Sequence, residues 1–374
     1  MSPRVFVSFG TGGVGKTTVS AALGTALARQ GLRTLVITCD PARRLAEAFG
    51  VRADDKPVQV GSDGRLWCFM PETKESARRT VALLFGDDPQ RLASLQQNPV
   101  LATLVDGLSG MHELGALAQL VEASAGYDAV VVDTAPTRHA LELLSLPERV
   151  IALVDSRALR WLGDVSRKRL KEVGRPKERG ALSRLLDWGQ SRIVSELEES
   201  LGGAPVAACM ELLTALMDTR PALSRMATSA RELLAGDSTT FLVVASPREG
   251  ALADVTFFYE GLSSIAHGPR AVVLNRDVDV LPAWTEHLSL HPLASERLRS
   301  VARLAGSELS AAARQSRETR RALAARYPAL QIARIARMDA SVPEAVVQAA
   351  AGALAESGLL AHQRQELAAQ ALVS

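Results

Sequence analysis

The sequence predicts an α/β fold: a mostly parallel sheet with helices on both faces, interrupted by an inserted helical subdomain. Three observations support this. Short apolar runs without polar alternation recur along the chain, as strands buried on both faces require. Ala/Leu-rich stretches with helical spacing lie between those runs, which calls for crossover connections and parallel pairing. Residues 156–236 contain no strand-like run, so they read as a helical subdomain set between two parts of a sheet domain, 1–155 and 237–374. A chain of 374 residues is long enough to bury such a core without disulfides.

Taken in order, Val5–Phe9 reads as the first strand and Gly10–Lys16 as a turn. Thr17–Arg29 reads as a helix ended by Gly31 as C′ residue. Thr34–Cys39 is the second strand, Pro41–Phe49 a helix and Arg65–Met70 a strand. Helices are expected over Glu72–Phe85, Pro89–Leu95 and Val100–Ala123. Ala129–Val132 is a strand ending at Asp133, and a helix begins over His139–Leu144. Val150–Val154 reads as a strand, followed by a long helical block to about residue 235. Phe241–Ala245, Ala271–Leu274 and Ile332–Ala336 complete the strands. Arg297–Arg326, with a break near Gly306, and Pro343–Leu354 are the remaining helices; no internal repeat is present.

Composition excludes several classes. With 47% hydrophobic and 22% charged residues the chain is not disordered, and no apolar run is long enough for a transmembrane helix. The N-terminal run is too quickly broken by glycine to read as a signal peptide. Cys39, Cys68 and Cys209 form no Cys-x-x-Cys pair, which points to a reducing, cytoplasmic setting. A net charge of +2 gives no strong nucleic-acid signal. It hides a local bias, because residues 156–180 hold nine basic and three acidic side chains, a net +6. Only six of the 43 basic residues are lysines, and the first of them, Lys16, lies in a motif.

That motif is Gly10-Thr11-Gly12-Gly13-Val14-Gly15-Lys16-Thr17, which fits G-x-x-x-x-G-K-[ST] and lies between a strand and a helix. Its context makes the predicted fold P-loop NTPase-type. Glycines let the backbone wrap a phosphate, and the helix N-terminus adds partial positive charge. Lys16 would reach the β/γ-phosphates, and the Thr17 hydroxyl would hold Mg²⁺. The alternative is a glycine-rich turn that binds nothing. Asp133, ending the Val130–Val132 run, suits a carboxylate contacting Mg²⁺ directly or through water; otherwise it is an ordinary strand-end or helix-capping residue. Asp40 follows the second strand at the same edge. It could orient an attacking water or cap the Pro41 helix.

Gly10–Thr18 (GTGGVGKTT), Thr38–Leu45 (TCDPARRL) and Asp133–Leu141 (DTAPTRHAL) together resemble the P-loop, switch I and switch II of the ArsA-type ATPases. That deviant-Walker-A group includes the arsenite-pump ATPase, the tail-anchored-protein targeting ATPase, and the MinD and ParA proteins. Leu66-Trp67, Ser109–Leu117, Val244–Pro247 and Asn275-Arg276 are similar in order and spacing, closest to a bacterial ArsA-related group. The resemblance implies an ATPase that binds ATP/ADP with Mg²⁺ and dimerises near the nucleotide. It implies phosphate contacts from Gly10 to Thr18, with Lys16 and Asp40 catalytic. Thr17, Asp40 and Asp133 would lie at the metal, Asn275 at the adenine, and Arg276 among the nucleotide-binding residues. Asn275 could equally be a strand-capping residue.

Three departures qualify it. The class places a second lysine early in the loop, where this chain has Thr11. Either that contact is lost, or Arg43 or Arg44 replaces it, or a partner subunit supplies it, so hydrolysis is expected to be slow or partner-dependent. No Cys-x-x-Cys exists for a dimer-bridging zinc, and no cysteine set exists to bind arsenite.

The helical block holds Trp161, Trp188, Met210, Met217 and Met226, which could pack its own core or line a groove for a protein client. Its basic stretch 156–180 is a solvated face or a contact for anionic membrane. The leading expectation is a cytoplasmic Mg²⁺-ATPase acting as a nucleotide-driven switch, as a homodimer or a heterodimer with a paralogous ATPase. The alternatives are a weakly hydrolysing nucleotide-binding subunit, a membrane-protein targeting factor, and a ParA-like DNA-bound ATPase.

Overall fold

The computed structural model describes residues 3–39, 44–52, 56–70, 88–98, 111–123, 125–135, 138–157, 203–265, 267–279, 295–338 and 342–360. Its strands are β1 (Arg4–Phe9), β2 (Thr34–Thr38), β3 (Val58–Val60), β4 (Leu66–Phe69), β5 (Ala129–Asp133), β6 (Thr239–Ala245), β7 (Ala271–Asp277) and β8 (Gln331–Ala336). Its helices are α1 (Lys16–Arg29), α2 (Arg44–Phe49), α3 (Pro89–Gln96), α4 (Met111–Ala123), α5 (Glu142–Val154), α6 (Gly203–Ala235), α7 (Ala251–Ile265), α8 (Glu296–Arg326) and α9 (Pro343–Glu356). The chain divides into two compact units. One comprises Met1–Glu72, Glu122–Leu144 and Leu233–Ser374; the other comprises Thr73–Val121 and Ser145–Glu232.

The first unit is built on one eight-stranded sheet of order β3-β4-β2-β5-β1-β6-β7-β8. Every neighbouring pair is parallel except β3 with β4. The central strands are almost wholly apolar and buried along their length, as a sheet covered on both faces demands. Side chains alternate along β1. Phe6 belongs to the buried cluster that also holds Leu23 and Leu27 of α1, Phe49 of α2 and Leu354 of α9. Phe9 instead meets Phe258 of α7, ring centroids 6.1 Å apart. Each fully buried aromatic of this kind contributes roughly 1.5–3 kcal/mol of hydrophobic stabilisation. On the Phe9 side α8 follows α7, where Tyr327 stacks on Tyr259 and donates to Thr256 Oγ1 at 2.8 Å.

Register positions the site. Asp133 lies opposite both Ser8 and Thr38, so three polar side chains come level at the C-terminal edge of β1, β2 and β5. Helix α1 lies close over β2. A Cβ added at Gly24 would sit 2.3 Å from Val36 Cγ2. Gly24→Ala therefore overpacks the interface at a cost of about 1–3 kcal/mol. Helix propensity returns at most about 1 kcal/mol. A lower denaturant midpoint with an unchanged m value is expected.

All described elements of the second unit are helical. The Asn98 amide, just after α3, donates to Ala208 O at 3.0 Å and Glu211 Oε2 at 3.2 Å, both on α6. Arg220 of α6 donates to Val154 O at 2.6 Å and pairs with Asp155 at 2.6 Å, satisfying the C-terminal end of α5. Met217 and Met226 are buried, and Met210 packs on Val206. Trp161, Trp188 and the rest of 158–202 lie outside the described residues.

Two expectations are corrected. Val150–Val154 is not a strand but the last turn of α5. Pro147, Val150 and Val154 are buried, with exposed residues between them, which is a helical period. A five-residue apolar run cannot be told from a helix end by its apolarity alone. Gly306 does not break α8, which runs continuously from Glu296 to Arg326. Two elements have no counterpart among the expectations: the three-residue edge strand β3, and α7, whose inward residues Ala251, Val255, Phe258 and Leu262 follow helical spacing.

Candidate active site

Gly10–Lys16 joins β1 to α1 at the sheet edge where Asp133 lies. Gly15 is the N-cap of α1 in a left-handed conformation, φ 86°, and makes no side-chain cap. A Cβ there would also stand 2.3 Å from Asn275 Nδ2, so glycine is required twice over. Val19 N–H makes a helical bond to Gly15 O at 3.0 Å. The N–H groups of Lys16, Thr17 and Thr18 precede that ladder, at a helix end with no side-chain cap and a partial positive charge.

Lys16 is 5% exposed and its ammonium donates to Gly10 O at 2.9 Å and Thr11 O at 3.3 Å. It is folded back into the loop whose concavity it would otherwise share with an anion. Beside it Asp133 is fully buried and accepts three hydroxyls. Thr17 and Thr38 donate to Oδ2 at 2.8 and 3.1 Å, and Ser20 to Oδ1 at 3.3 Å. Ser8 Oγ lies 2.7 Å from Ser20 Oγ, and Thr134 donates to Ser8 O at 2.7 Å. Burial pushes the Asp133 carboxyl up to about 6, opposed by the Thr17 hydrogen bond, the nearby Lys16 ammonium and the other hydroxyls. Because Thr17 gives its proton to Asp133, its oxygen lone pairs remain available to a cation.

A cavity of about 320 Å³ opens over this loop, lined by Gly13, Gly15, Lys16, Thr17 and Thr18 with Arg44, Glu47 and Arg276. Gly12 and Gly13 form the exposed tip, and Val14 is buried beneath it. Among the described residues no three His, Cys, Asp or Glu side chains gather to hold a metal alone. A nucleotide-bound Mg²⁺ needs only one or two protein oxygens, and the Thr17 hydroxyl beside a carboxylate is a hard donor set of that kind. The uncapped helix end, the glycine loop, the ammonium and the hydroxyl–carboxylate pair thus fit a magnesium nucleotide.

Asn275 ends up as a brace: Nδ2 donates to Val14 O at 2.9 Å, and Oδ1 accepts from Arg276 N at 3.0 Å. Arg276 adopts a left-handed φ of 59° at an irregularity in the β7–β8 register. Such a conformation costs a non-glycine residue about 1 kcal/mol or more and marks positions where a side chain is aimed by its backbone. Asp40 and Arg43 lie outside the described residues. Ser20 and Ser8 are residues of the candidate site that motif reasoning missed, and Thr38, inside the switch I motif, was given no role of its own. Their signal was a hydroxyl in otherwise apolar buried runs. Thr11 Oγ1 donates to Asp254 Oδ2 at 3.1 Å and accepts from Arg248 Nη2 at 3.0 Å.

A phosphate-binding loop at the C-terminal edge of a doubly covered parallel sheet, with a buried carboxylate on the neighbouring strand, defines a P-loop nucleoside triphosphatase fold. Comparison with known proteins narrows this. The family model described as anion-transporting ATPase, the ArsA ATPases, matches residues 3–287, and the chain belongs to that family. It is 35% identical over 158 residues to a Chlorobaculum tepidum protein named for an arsenical pump-driving ATPase, covering 39% of this chain and 36% of that one. It is 34% identical over 147 residues to the ATPase ASNA1 homolog 1 of Paramecium tetraurelia, covering 38% of this chain and 43% of that one. An ASNA1 homolog of Plasmodium vivax is 31% identical over 149 residues, covering 38% of this chain and 37% of that one. The chain therefore matches less than half the length of these relatives.

Proposed function

We propose that this protein is a Mg²⁺-dependent ATP hydrolase that works as a nucleotide-driven dimer switch for a partner or client protein. The observation that supports it most is the single constellation of Lys16, Thr17 and Asp133 around an uncapped α1 N-terminus. The relatives' names as ATPases support the same reading.

On this reading Lys16 leaves its two carbonyl partners and turns its ammonium to the β/γ-phosphate oxygens. The N–H groups of the loop and first helical turn receive the remaining charge. Asp133 holds Thr17 so that its oxygen faces the metal. Bound Mg²⁺ supplies neutralisation of phosphate charge. Water then attacks the γ-phosphorus in line; the bond to the β–γ bridging oxygen breaks, giving ADP and inorganic phosphate. Asp40 is proposed to orient that water. Asp133, one strand from switch I and at the start of switch II, would pass the presence of the γ-phosphate to both segments, which relax after hydrolysis.

The protein is proposed to act in the cytoplasm, as a homodimer or a heterodimer with a paralogous ATPase. No helix among the described residues is long and apolar enough to cross a membrane. Thr11 favours a second reading, a nucleotide-binding subunit that hydrolyses slowly until a partner completes the site. Phosphate release by the purified chain, alone and with Asp40→Asn, tests both. Asp40→Asn is expected to slow release by about a hundredfold or more, the scale of losing a general base. Equal rates remove Asp40 from the mechanism, and brisk turnover by the chain alone rejects the second reading.

A further inference from the structure

The loop that replaces the class lysine with Thr11 is not without a second cation. Arg248, in the turn after β6, places Nη2 3.0 Å from Thr11 Oγ1 and 2.5 Å from Asp254 Oδ2 on α7. Thr11 itself donates to the same Asp254 oxygen at 3.1 Å. The three side chains close a small ring. Only Nη2 of the guanidinium is engaged in it; Nη1 and Nε have no protein partner among the described residues, and the Arg248 side chain is 48% exposed. A planar fork with free donors, parked beside a phosphate loop by a carboxylate, can rotate toward an anion.

The loop's polarity says which anion. Lys16 Nζ reaches back to Gly10 O and Thr11 O, at the early end of the loop. The loop lysine serves the β- and γ-phosphates, so this end lies at the terminal phosphates rather than at the base. We propose that Arg248 is the second phosphate-binding cation of this site. It recognises the γ-phosphate of a nucleoside triphosphate, and Asp254 holds it in reserve when no γ-phosphate is present. This rests on the ATPase reading above and deepens it. It differs from the expectation that Arg43 or Arg44 replaces the missing lysine.

The geometry makes the selectivity differential. A charge-assisted contact to the γ-phosphate strengthens triphosphate binding by about tenfold or more and acts weakly on a diphosphate. Calorimetry with a non-hydrolysable Mg-ATP analogue and with Mg-ADP, on the well-folded 374-residue chain, reads this directly. Arg248→Ala is expected to weaken analogue binding by about tenfold while ADP changes by less than about threefold. Arg248→Lys is expected to recover part of the loss. Asp254→Asn keeps the guanidinium and removes its competitor. Its analogue affinity is expected to rise several-fold, and the gain to vanish in the Arg248→Ala/Asp254→Asn double variant. If Arg248→Ala leaves the ratio of the two affinities unchanged, or the Asp254→Asn gain persists in the double variant, the proposal is overturned while the ATPase reading stands. A wild-type chain that takes up neither nucleotide overturns both.

Discussion

Lys16→Ala is expected to weaken Mg-ATP binding by about a hundredfold and to bring γ-phosphate release below detection. Lys16 is 5% exposed and its ammonium spans two loop carbonyls, which keep the charge at the loop until a nucleotide draws it across. A charge in a dehydrated niche is weakly screened, and losing one partner of a buried charged contact costs about 2–5 kcal/mol. A hundredfold is about 2.7 kcal/mol, inside that range. Lys16→Arg is expected to fail nearly as badly. A planar guanidinium cannot enter a niche shaped for a compact ammonium, even in a chain that otherwise prefers arginine. Calorimetry with each variant, beside a thermal melt showing an intact fold, checks this. Nucleotide uptake equal to wild type would mean that the glycine loop is only a turn.

The part of the site that is local in sequence was legible from it. A strand, a glycine turn, Lys16-Thr17 and a helix follow each other without interruption, and each flanking element obeys its own period. Asp133 was legible because an apolar run of four ends abruptly in a carboxylate. The buried hydroxyls were harder. Ser20 lies on the inward face of α1 among alanines and leucines, where a serine reads as a small core residue until β5 is placed beneath it. The Arg248–Thr11–Asp254 ring joins residues 237 and 243 positions apart, and no spacing rule connects them. Asn275 was read for the base, yet its amide spends two of its bonds on Val14 and Arg276, since β7 ends directly beneath the loop. Helix α7 escaped because Val255, Thr256, Phe257, Phe258 and Tyr259 are strand-favouring types. Tertiary packing of its Phe258 face overrides that propensity.

Asp133→Asn is expected to do two opposite things, and the opposition identifies the site. In nucleotide-free protein the wild-type carboxyl is pushed up to about 6 from an ordinary 3.8, chiefly by burial. A folded-state value above the unfolded one means that the native state holds the proton more tightly. The resulting stability is present below about pH 4 and is lost as pH rises through 6. At pH 8 the ionised, buried carboxylate therefore costs roughly 3 kcal/mol, even with three hydroxyls donating to it. Asparagine does not titrate. The variant is expected to melt at a higher temperature than wild type at pH 8, and the gap to close as pH falls through 6. With saturating Mg-nucleotide the order reverses, because only wild type gains from a cation beside its carboxylate. Wild-type binding of Mg-nucleotide should itself weaken below about pH 6, as a proton takes the charge that Thr17 and the metal share. Phosphate release by the variant is expected to fall by at least two orders of magnitude at every pH, in line with losing a preorganised group at the reacting charge. Paired melts from pH 5 to 8, with and without Mg-nucleotide, check the signs. A wild-type protein that gains stability over the variant as pH rises, without ligand, would show that the carboxylate is stabilised by the fold. It would then not be held there, at a cost, for a cation.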